Sequence, residues 1–429
     1  MWSSRQTVKK QALDGLRTVA SGVVEALGAG PAHRRRLDEI DTRIVVSGVR
    51  GKSSVANWLH EQFVSRGYDT YTKITGSDAQ VRYNDTVSEI EREQQVRLYE
   101  NERELARFDS IDVAIVENQG IRPYTTRLVN EQFVDPDLVF LTNVREDHLD
   151  TLGRDRTQIA RSLTRAVPQG TSVVCAEQYK PLREYIQTEL ERRDAPVTFV
   201  DPPSGTESVP GSECVYGLND VLAAVGEPPV PTQEIQDRID TLRPSWQQLP
   251  GGRVYNAAAV NDVQSTELVR QSLVEDRETV IEPVLNLRWD RRGRTVSFIR
   301  YLDDLYESGA VEQTHIVGDD QQLFETTASL PVVRHDTETE SPAAVLDDAV
   351  ASGRPVVLMG NTVTAFMEAM AREIESRAGT DSDAPEATTA PETARDGTPT
   401  LTGKRYGMLD QTQLRWRTLS VERSEDRQR

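Results

Sequence analysis

IVVSGVRGKSSVANWL, residues 44–59, passes from an apolar run through a glycine-containing turn into a stretch of helical spacing. Ile44, Val45 and Val46 form the short continuous apolar run expected of a strand buried on both faces of a parallel sheet. Gly48 and Gly51 let the backbone curl, and Lys52 follows. Ser53 and Ser54 then open a helix in which Val55, Leu59, Gln62 and Phe63 recur at near-helical intervals. Such a strand–turn–helix aims the backbone N–H groups of the Gly48-Val49-Arg50-Gly51 turn, and those of Lys52, Ser53 and Ser54, at a phosphate. Lys52 adds a mobile positive charge and Ser53 a hydroxyl for Mg2+. The full G-x-x-x-x-G-K-[ST] pattern fails, because Val46 stands where its first glycine belongs; G-x-x-G-K-S remains. A turn that carries lysine by chance is the competing explanation, and it is weakened by lysine's scarcity: six in 429 residues.

Apolar runs like the first recur at Val113–Val116, Leu138–Leu141 and Ser172–Val174, with helical spacing at 53–65, 156–167 and 180–192. A second series places strands at 279–287, 313–317, 331–334 and 355–359, and helices near 265–275, 296–308, 342–351 and 364–376. Strand–helix alternation argues an α/β protein with mostly parallel sheets. Between 201 and 252 the chain is rich in Pro, Gly and Ser, which marks the boundary between two domains. Residues 1–40 read as a helical, partly basic leader with a solvated surface. From about 377 the chain is rich in Ala, Thr, Pro and acids and buries too little apolar surface to offset chain entropy, so a disordered tail is expected.

Composition narrows the function classes. Asp plus Glu number 69 against 50 Lys plus Arg, a formal charge of −19, which disfavours a nucleic-acid binder. No apolar run is long enough to span a bilayer, and the N-terminus lacks the apolar core of a signal peptide. Two cysteines exclude a disulfide scaffold or a four-cysteine zinc site. The expectation is a cytoplasmic protein.

Three further segments carry chemistry. Thr72-Lys73-Ile74-Thr75-Gly76-Ser77-Asp78 sets another scarce lysine before a polar turn, an ordinary loop when taken alone. In AIVENQG (114–120), Glu117 stands at the carboxyl end of an apolar strand, where open α/β sheets bind ligands, and a carboxylate there suits Mg2+ or simply a turn. In LTNVREDHLDTLG (141–153), His148 lies among Glu146, Asp147 and Asp150; a lone histidine is more often structural, but an acidic cluster beside a phosphate loop favours a metal site.

The order VSGVRGKSSV, KITGSDA, VENQG, TNVREDHLDTLG resembles the ATPase domain of the Mur ligase superfamily, whose shortened phosphate loop accounts for the missing glycine. NAAAVNDVQST (256–266), NLRWDRRGRT (286–295), HIVGDD (315–320) and LMGNTVTA (358–365) extend the likeness to the poly-γ-glutamate synthetase ATPase-subunit branch, over roughly 41–376. The resemblance implies a P-loop ATPase domain with a mostly parallel sheet over 41–245, followed by a smaller Rossmann-like α/β domain over 246–376. It implies an amide ligase that uses ATP and Mg2+ to make an acyl phosphate, which an amine such as that of glutamate then attacks. Lys52 would contact the β- and γ-phosphates; Ser53 and Glu117 would hold one Mg2+, His148 a second, with Thr75 a weaker candidate. Asn219 would be the adenine-side asparagine. Arg288, Arg291 and Arg294 would face the acyl phosphate or a carboxylate, with Asp290 orienting them and Asn261 and Asp262 lining the cleft. Read from the residues alone, that arginine cluster is a solvated charge run.

Departures narrow the branch. Ser162-Leu163-Thr164 stands where many Mur ligases carry a carbamylated lysine, and Ala257 and Ala259 replace an Asp and a Lys of the muropeptide branches. Only residues 1–40 precede the first strand, too few for a UDP-sugar domain. With no membrane helix expected, attachment would run through partner proteins, with 1–40 as the docking element. Oligomeric state stays open, a homo-oligomer included. So do two other readings: a related ligase for another acid or amino acid, and a P-loop switch or kinase.

The charge balance generates a prediction. An acidic surface with 44 arginines and six lysines suits high salt, where self-repulsion is screened. Thermal unfolding midpoint and solubility should both rise from low ionic strength to molar KCl; equal values in the two media would refute a halophilic adaptation.

Overall fold

The structure, a computed structural model, describes residues 30–76, 79–92, 97–147, 149, 151–206, 208–260, 262–274 and 279–380. The expectations for 1–29, for the tail beyond 380, and for His148 and Asn261 therefore lie outside the described residues. All described residues belong to the compact unit Met1–Asp383.

The first lobe is an eight-stranded sheet in the order β4-β3-β2-β5-β1-β6-β7-β8. Its strands are β1 (Thr42–Ser47), β2 (Thr70–Ile74), β3 (Gln80–Tyr83), β4 (Thr86–Glu89), β5 (Val113–Glu117), β6 (Leu138–Leu141), β7 (Ser172–Cys175) and β8 (Val197–Phe199). Strands β2, β5, β1, β6, β7 and β8 pair in parallel, and the β2–β3–β4 meander is antiparallel. The helices that position the site are α1 (Lys52–Ser65), α2 (Glu100–Leu105), α3 (Pro123–Leu128), α4 (Arg156–Arg165), α5 (Lys180–Glu191), α6 (Ser212–Ala224) and α7 (Thr232–Leu242).

Both faces of this sheet are covered, which is why its strands are continuously apolar. Ile44 and Val46 pack with Val55, Leu59 and Phe63 of α1 and with Leu218, Val221 and Ile239 of α6 and α7. Val45 points the other way, with Ile159 and Leu163 of α4 and Ile186 and Leu190 of α5. The Pro/Gly-rich tract 201–252 is thus not a bare linker. Its prolines and glycines are the turns around α6 and α7, whose apolar faces complete the first core. Residues 30–38 are helical, as expected. Their surface is not wholly solvated: Leu37 and, just beyond, Ile40 are buried, and the ring of buried His33 hydrogen-bonds the Phe133 carbonyl.

The second lobe is a six-stranded sheet, β13-β12-β11-β14-β10-β9, of β9 (Gln247–Leu249), β10 (Gly252–Asn256), β11 (Glu282–Leu287), β12 (Thr314–Gly318), β13 (Val332–Arg334) and β14 (Val356–Met359). It is parallel apart from the β9–β10 pair. Helices α8 (Val263–Leu273), α9 (Arg292–Glu307) and α10 (Gln321–Thr327) cover one face, and α11 (Pro342–Val350) and α12 (Ala365–Thr380) the other. Helix α12 runs to Thr380, past the expected start of the tail at 377.

The fit of α6 over the sheet rests on Gly217. A Cβ there would lie 2.6 Å from Cε2 of Phe140 on β6. Gly217→Ala should therefore overpack the core and cost about 1–3 kcal/mol, read as a lower urea midpoint; a wild-type midpoint would show that α6 does not seat as described.

Candidate nucleotide and carboxylate site

Chain order reverses at β1, which lies between β5 and β6, and open α/β sheets bind ligands outside the carboxyl ends of the strands at such a point. The Gly48–Gly51 turn is there. Gly48 (φ 118°) and Gly51 (φ 79°) adopt left-handed backbone conformations, which glycine reaches without strain. A Cβ on Gly48 would lie 2.2 Å from Thr142 Oγ1, a buried hydroxyl with no hydrogen-bond partner among the described residues. Asn143 clamps the turn: its carbonyl accepts the Val49 N–H, its Oδ1 accepts the Arg50 N–H (3.0 Å), and its Nδ2 donates to the Arg50 carbonyl (3.2 Å).

Helix α1 starts at Lys52 behind Gly51, which has no side chain to cap it. The N–H groups of Lys52, Ser53 and Ser54 thus lack intrahelical acceptors and, with the helix dipole, form an anion site. Lys52 Nζ folds back onto the carbonyls of Gly48 (3.1 Å) and Val49 (3.2 Å). Burial pushes its pKa below the usual lysine value, partly offset by Glu117. Ser53 Oγ donates to Glu117 Oε2 at 2.9 Å, and the same oxygen accepts the Thr75 backbone N–H at 3.0 Å. Ser53, Thr75 and Glu117 are therefore brought together at the mouth of the turn, with Thr75 contributing its backbone. Hydroxyl and carboxylate oxygens at the start of α1 fit a hard dication beside a phosphate.

Other expectations land differently. Lys73 is fully buried on β2, ion-paired with Glu100 (3.0 Å) and bonded to Gln119, so its charge is spent inside the first lobe. Asn219 lies in α6, where its Oδ1 accepts the Val230 N–H at 2.7 Å and shapes the turn into α7. Cys214 packs 3.6 Å from where a Gly51 Cβ would stand, and burial drives its thiol pKa well up. Burial likewise pushes Cys175 up to about 12, so both thiols are neutral packing groups.

The second lobe reverses its chain order at β11, between β12 and β14. Arg288, Arg291 and Arg294, just beyond it, line one small pocket with Asn286, Thr295 and Asn361. They do not form a featureless solvated run. Arg288 donates two bonds to Asp290, at 2.9 and 2.7 Å, while Arg291 stands 4.0 Å from the same carboxylate. Burial raises the Asp290 pKa, but the Arg288 hydrogen bonds and the Arg288 and Arg291 charges outweigh it and hold the group below the usual range.

A carboxylate missed from sequence joins the lobes. Asp147 accepts from Arg50 of the phosphate turn (2.8 Å) and from Arg294 of the arginine pocket (3.3 Å). Arg50 Nε also donates, at 3.1 Å, to Asp262. Asp262 is almost fully buried and caps α8 through the Ser265 N–H. Glu177 braces the loop that carries Asp147, accepting from the Val144 N–H and from Arg156. The acidic run was visible in sequence, but nothing local singled out Asp147, whose partners are 97 and 147 residues away.

Residues 247–377 match the family described as the poly-gamma-glutamate synthase CapB C-terminal domain. The chain is 25% identical over 344 residues to the PGA synthase CapB of Bacillus subtilis (strain 168), covering 74% of this chain and 82% of that protein. The second lobe therefore matches the CapB C-terminal domain, and the chain as a whole is similar to CapB. The capsule biosynthesis protein CapB of Bacillus anthracis is 22% identical over 296 residues, 62% of each chain. The chain shares its fold with solved ligases. A bifunctional folylpolyglutamate synthase/dihydrofolate synthase from Yersinia pestis, complexed with AMPPNP and Mn ion, aligns with a TM-score of 0.55 and 17% identity. That alignment covers 82% of this chain and 93% of that one. Escherichia coli FolC in complex with ADP aligns at 0.53 and 16%, covering 82% and 92%.

The two arginine-and-lysine sites should separate in binding measurements. Lys52→Ala removes charge-assisted contacts worth about 1.5–3 kcal/mol, so calorimetry should show affinity for a magnesium–ATP analogue falling by roughly tenfold or more. Arg294→Ala, in the other lobe, should stay within about threefold of wild type. Equal losses in both variants would contradict the division.

Proposed function

We propose that the protein is an ATP-dependent acid–amino-acid ligase, forming ADP through an acyl-phosphate intermediate, and that it makes γ-glutamyl amide bonds in poly-γ-glutamate synthesis. The observation that carries this reading is the Arg50–Asp147–Arg294 bridge: the phosphate turn and an arginine pocket suited to carboxylates are tied through one side chain. A switch or a kinase has no need of a separate lobe that brings a carboxylate to the phosphate turn. The CapB relatives and the nucleotide-bound ligases of the same fold support it.

In this mechanism a carboxylate oxygen of the acceptor attacks the γ-phosphorus of ATP and the bond to the β-phosphate oxygen breaks, releasing ADP. An amine then attacks the acyl carbon, loses a proton, and the phosphate departs from the tetrahedral intermediate. Lys52 gives up its loop carbonyls for phosphate oxygens, and the α1 N-terminus takes up the remaining charge. Ser53 and Glu117 would hold Mg2+, which when bound withdraws charge from the terminal phosphates. The role carried over to His148 is that of a ligand to a second Mg2+, and Asn219 remains the candidate for the adenine side. Arg288 and Arg291 hold carboxylate or acyl phosphate, with Asp290 fixing the direction of Arg288. Asp262 fixes Arg50 and so the cleft between the lobes. We assign a domain boundary near 245, where α7 ends and β9 begins, and place the enzyme in the cytoplasm with membrane-protein partners of a polymer-synthesising complex. No helix among the described residues is long and apolar enough to cross a membrane.

Turnover of magnesium–ATP, with and without L-glutamate at high salt and with mass spectrometry of the products, tests the proposal. Expected is glutamate-dependent ADP release with an amide-bonded product, and loss of that product in Arg291→Ala with ATP binding intact. A phosphorylated product without an amide, or ADP release indifferent to glutamate, would overturn it.

A further inference from the structure

We infer that the second lobe carries a transition-metal site, separate from the nucleotide site, built by His315 on β12, His335 just after β13 and Asp348 on α11. His315 and His335 are buried and Asp348 is exposed. His315 Nδ1 faces His335 Nε2 at 2.8 Å, and Asp348 Oδ2 lies 3.7 Å from each. The point equidistant from these three atoms is ~2.0 Å from each, the length of a zinc–imidazole or zinc–carboxylate bond.

Proton counting on the outer nitrogens supports the same conclusion. His315 Nε2 lies 3.1 Å from Glu282 Oε1, and His335 Nδ1 lies 2.8 Å from Glu340 Oε2. The other groups bonded to these carboxylates are donors: Gln313 and Arg354 on Glu282, and the Asp336 N–H on Glu340. Each carboxylate is therefore an acceptor, and each imidazole presents its outer N–H to one of them. Both inner nitrogens then present lone pairs 2.8 Å apart on the triangle closed by Asp348 Oδ2, and a cation held there, a proton or a metal, relieves their repulsion. Carboxylate-held imidazoles are how metal-ligating histidines are oriented and made more basic.

Two imidazoles and one carboxylate select a zinc-class dication rather than magnesium or calcium, which prefer all-oxygen shells. Glu282, Glu340 and Asp348 bring three carboxylates to the cluster, one of them paired with Arg354, and their negative charge favours a dication. The exposed side of Asp348 leaves room for a water as fourth ligand. Bound there, the ion ties α11 to the β12–β13 edge and stabilises the lobe. Neither the nucleotide chemistry nor the proposed ligation uses it.

The test is titration of the metal-stripped full-length protein with cobalt(II), followed by visible absorption and by thermal shift. Expected is one equivalent giving the intense spectrum of a four-coordinate nitrogen-containing site, with a raised melting temperature. Asp348→Asn, a surface change, should weaken binding at least tenfold, and Glu340→Gln by about 10–100-fold. Glu117→Gln, at the magnesium position, should leave the signal in place. Absence of that spectrum, wild-type affinity in Asp348→Asn, or loss of the signal in Glu117→Gln would each overturn the assignment.

Discussion

Asp147 is the charge on which the working geometry depends. It is nearly buried, and it faces two guanidinium groups, one from each lobe. A charge taken out of water costs several kcal/mol unless it is paired, and breaking a buried pair from one side leaves the other charge stranded. Arg50 meets this condition through two carboxylates, Asp147 and Asp262. Two of the pairs, Arg50–Asp262 and Arg294–Asp147, cross between the lobes and form only when the lobes are together. Coulombic strength on this scale is modest in water and larger in a half-dry cleft, so closure and exclusion of water reinforce one another. An acyl phosphate is a species that water destroys, and a cleft whose own ion pairs require closing is chemically suited to it.

The two sheets deliver their chemistry by the same device. In each, chain order reverses at a central strand, β1 or β11, and the loops beyond its carboxyl end diverge to leave a crevice. The first crevice is floored by backbone donors and a lysine, the second by guanidinium groups. Backbone amides serve a phosphate because they are fixed and carry no desolvation penalty of their own charge. Planar forks suit a carboxylate, which they can grip at both oxygens.

Much of this was legible in the sequence. The strand–turn–helix around Lys52 is a local pattern, and the buried parallel strands announce themselves as continuous apolar runs. The arginine cluster was visible too, although charge spacing alone could not distinguish a pocket from a solvated face; only its place beyond β11 does. Less legible were features made by distant partners. Asn143 and Asp147 act on Arg50 across more than ninety residues, and His315, His335 and Asp348 meet only because β12, β13 and α11 pack together. Helices α6 and α7 were obscured because prolines and glycines crowd the turns that flank them, and composition averaged over that tract hides the apolar faces of Leu218, Val221 and Ile239. Short β9 and the β3–β4 meander carry too few apolar positions for alternation to stand out.

Lysine usage ties the chemistry to the composition. Lys52, Lys73 and Lys180 are the lysines among the described residues, and only Lys180, at the start of α5, is exposed. Elsewhere the surface uses arginine, whose guanidinium pairs with the many carboxylates in fixed, forked geometry, as Arg92 does with Glu100 and Arg270 with Glu267. The other two lysines, half-buried Lys52 and buried Lys73, make contacts that suit a compact ammonium. Lys52 curls onto the carbonyls of its own turn three and four residues back, a compact return that suits a point-charge ammonium. Lys73 ends in the core against Glu100 and Gln119, contacts that suit a compact ammonium on a flexible stem. A chain otherwise so poor in lysine therefore retains it at two positions where a small point charge serves, fixed in the core at Lys73 and free to turn toward a phosphate at Lys52.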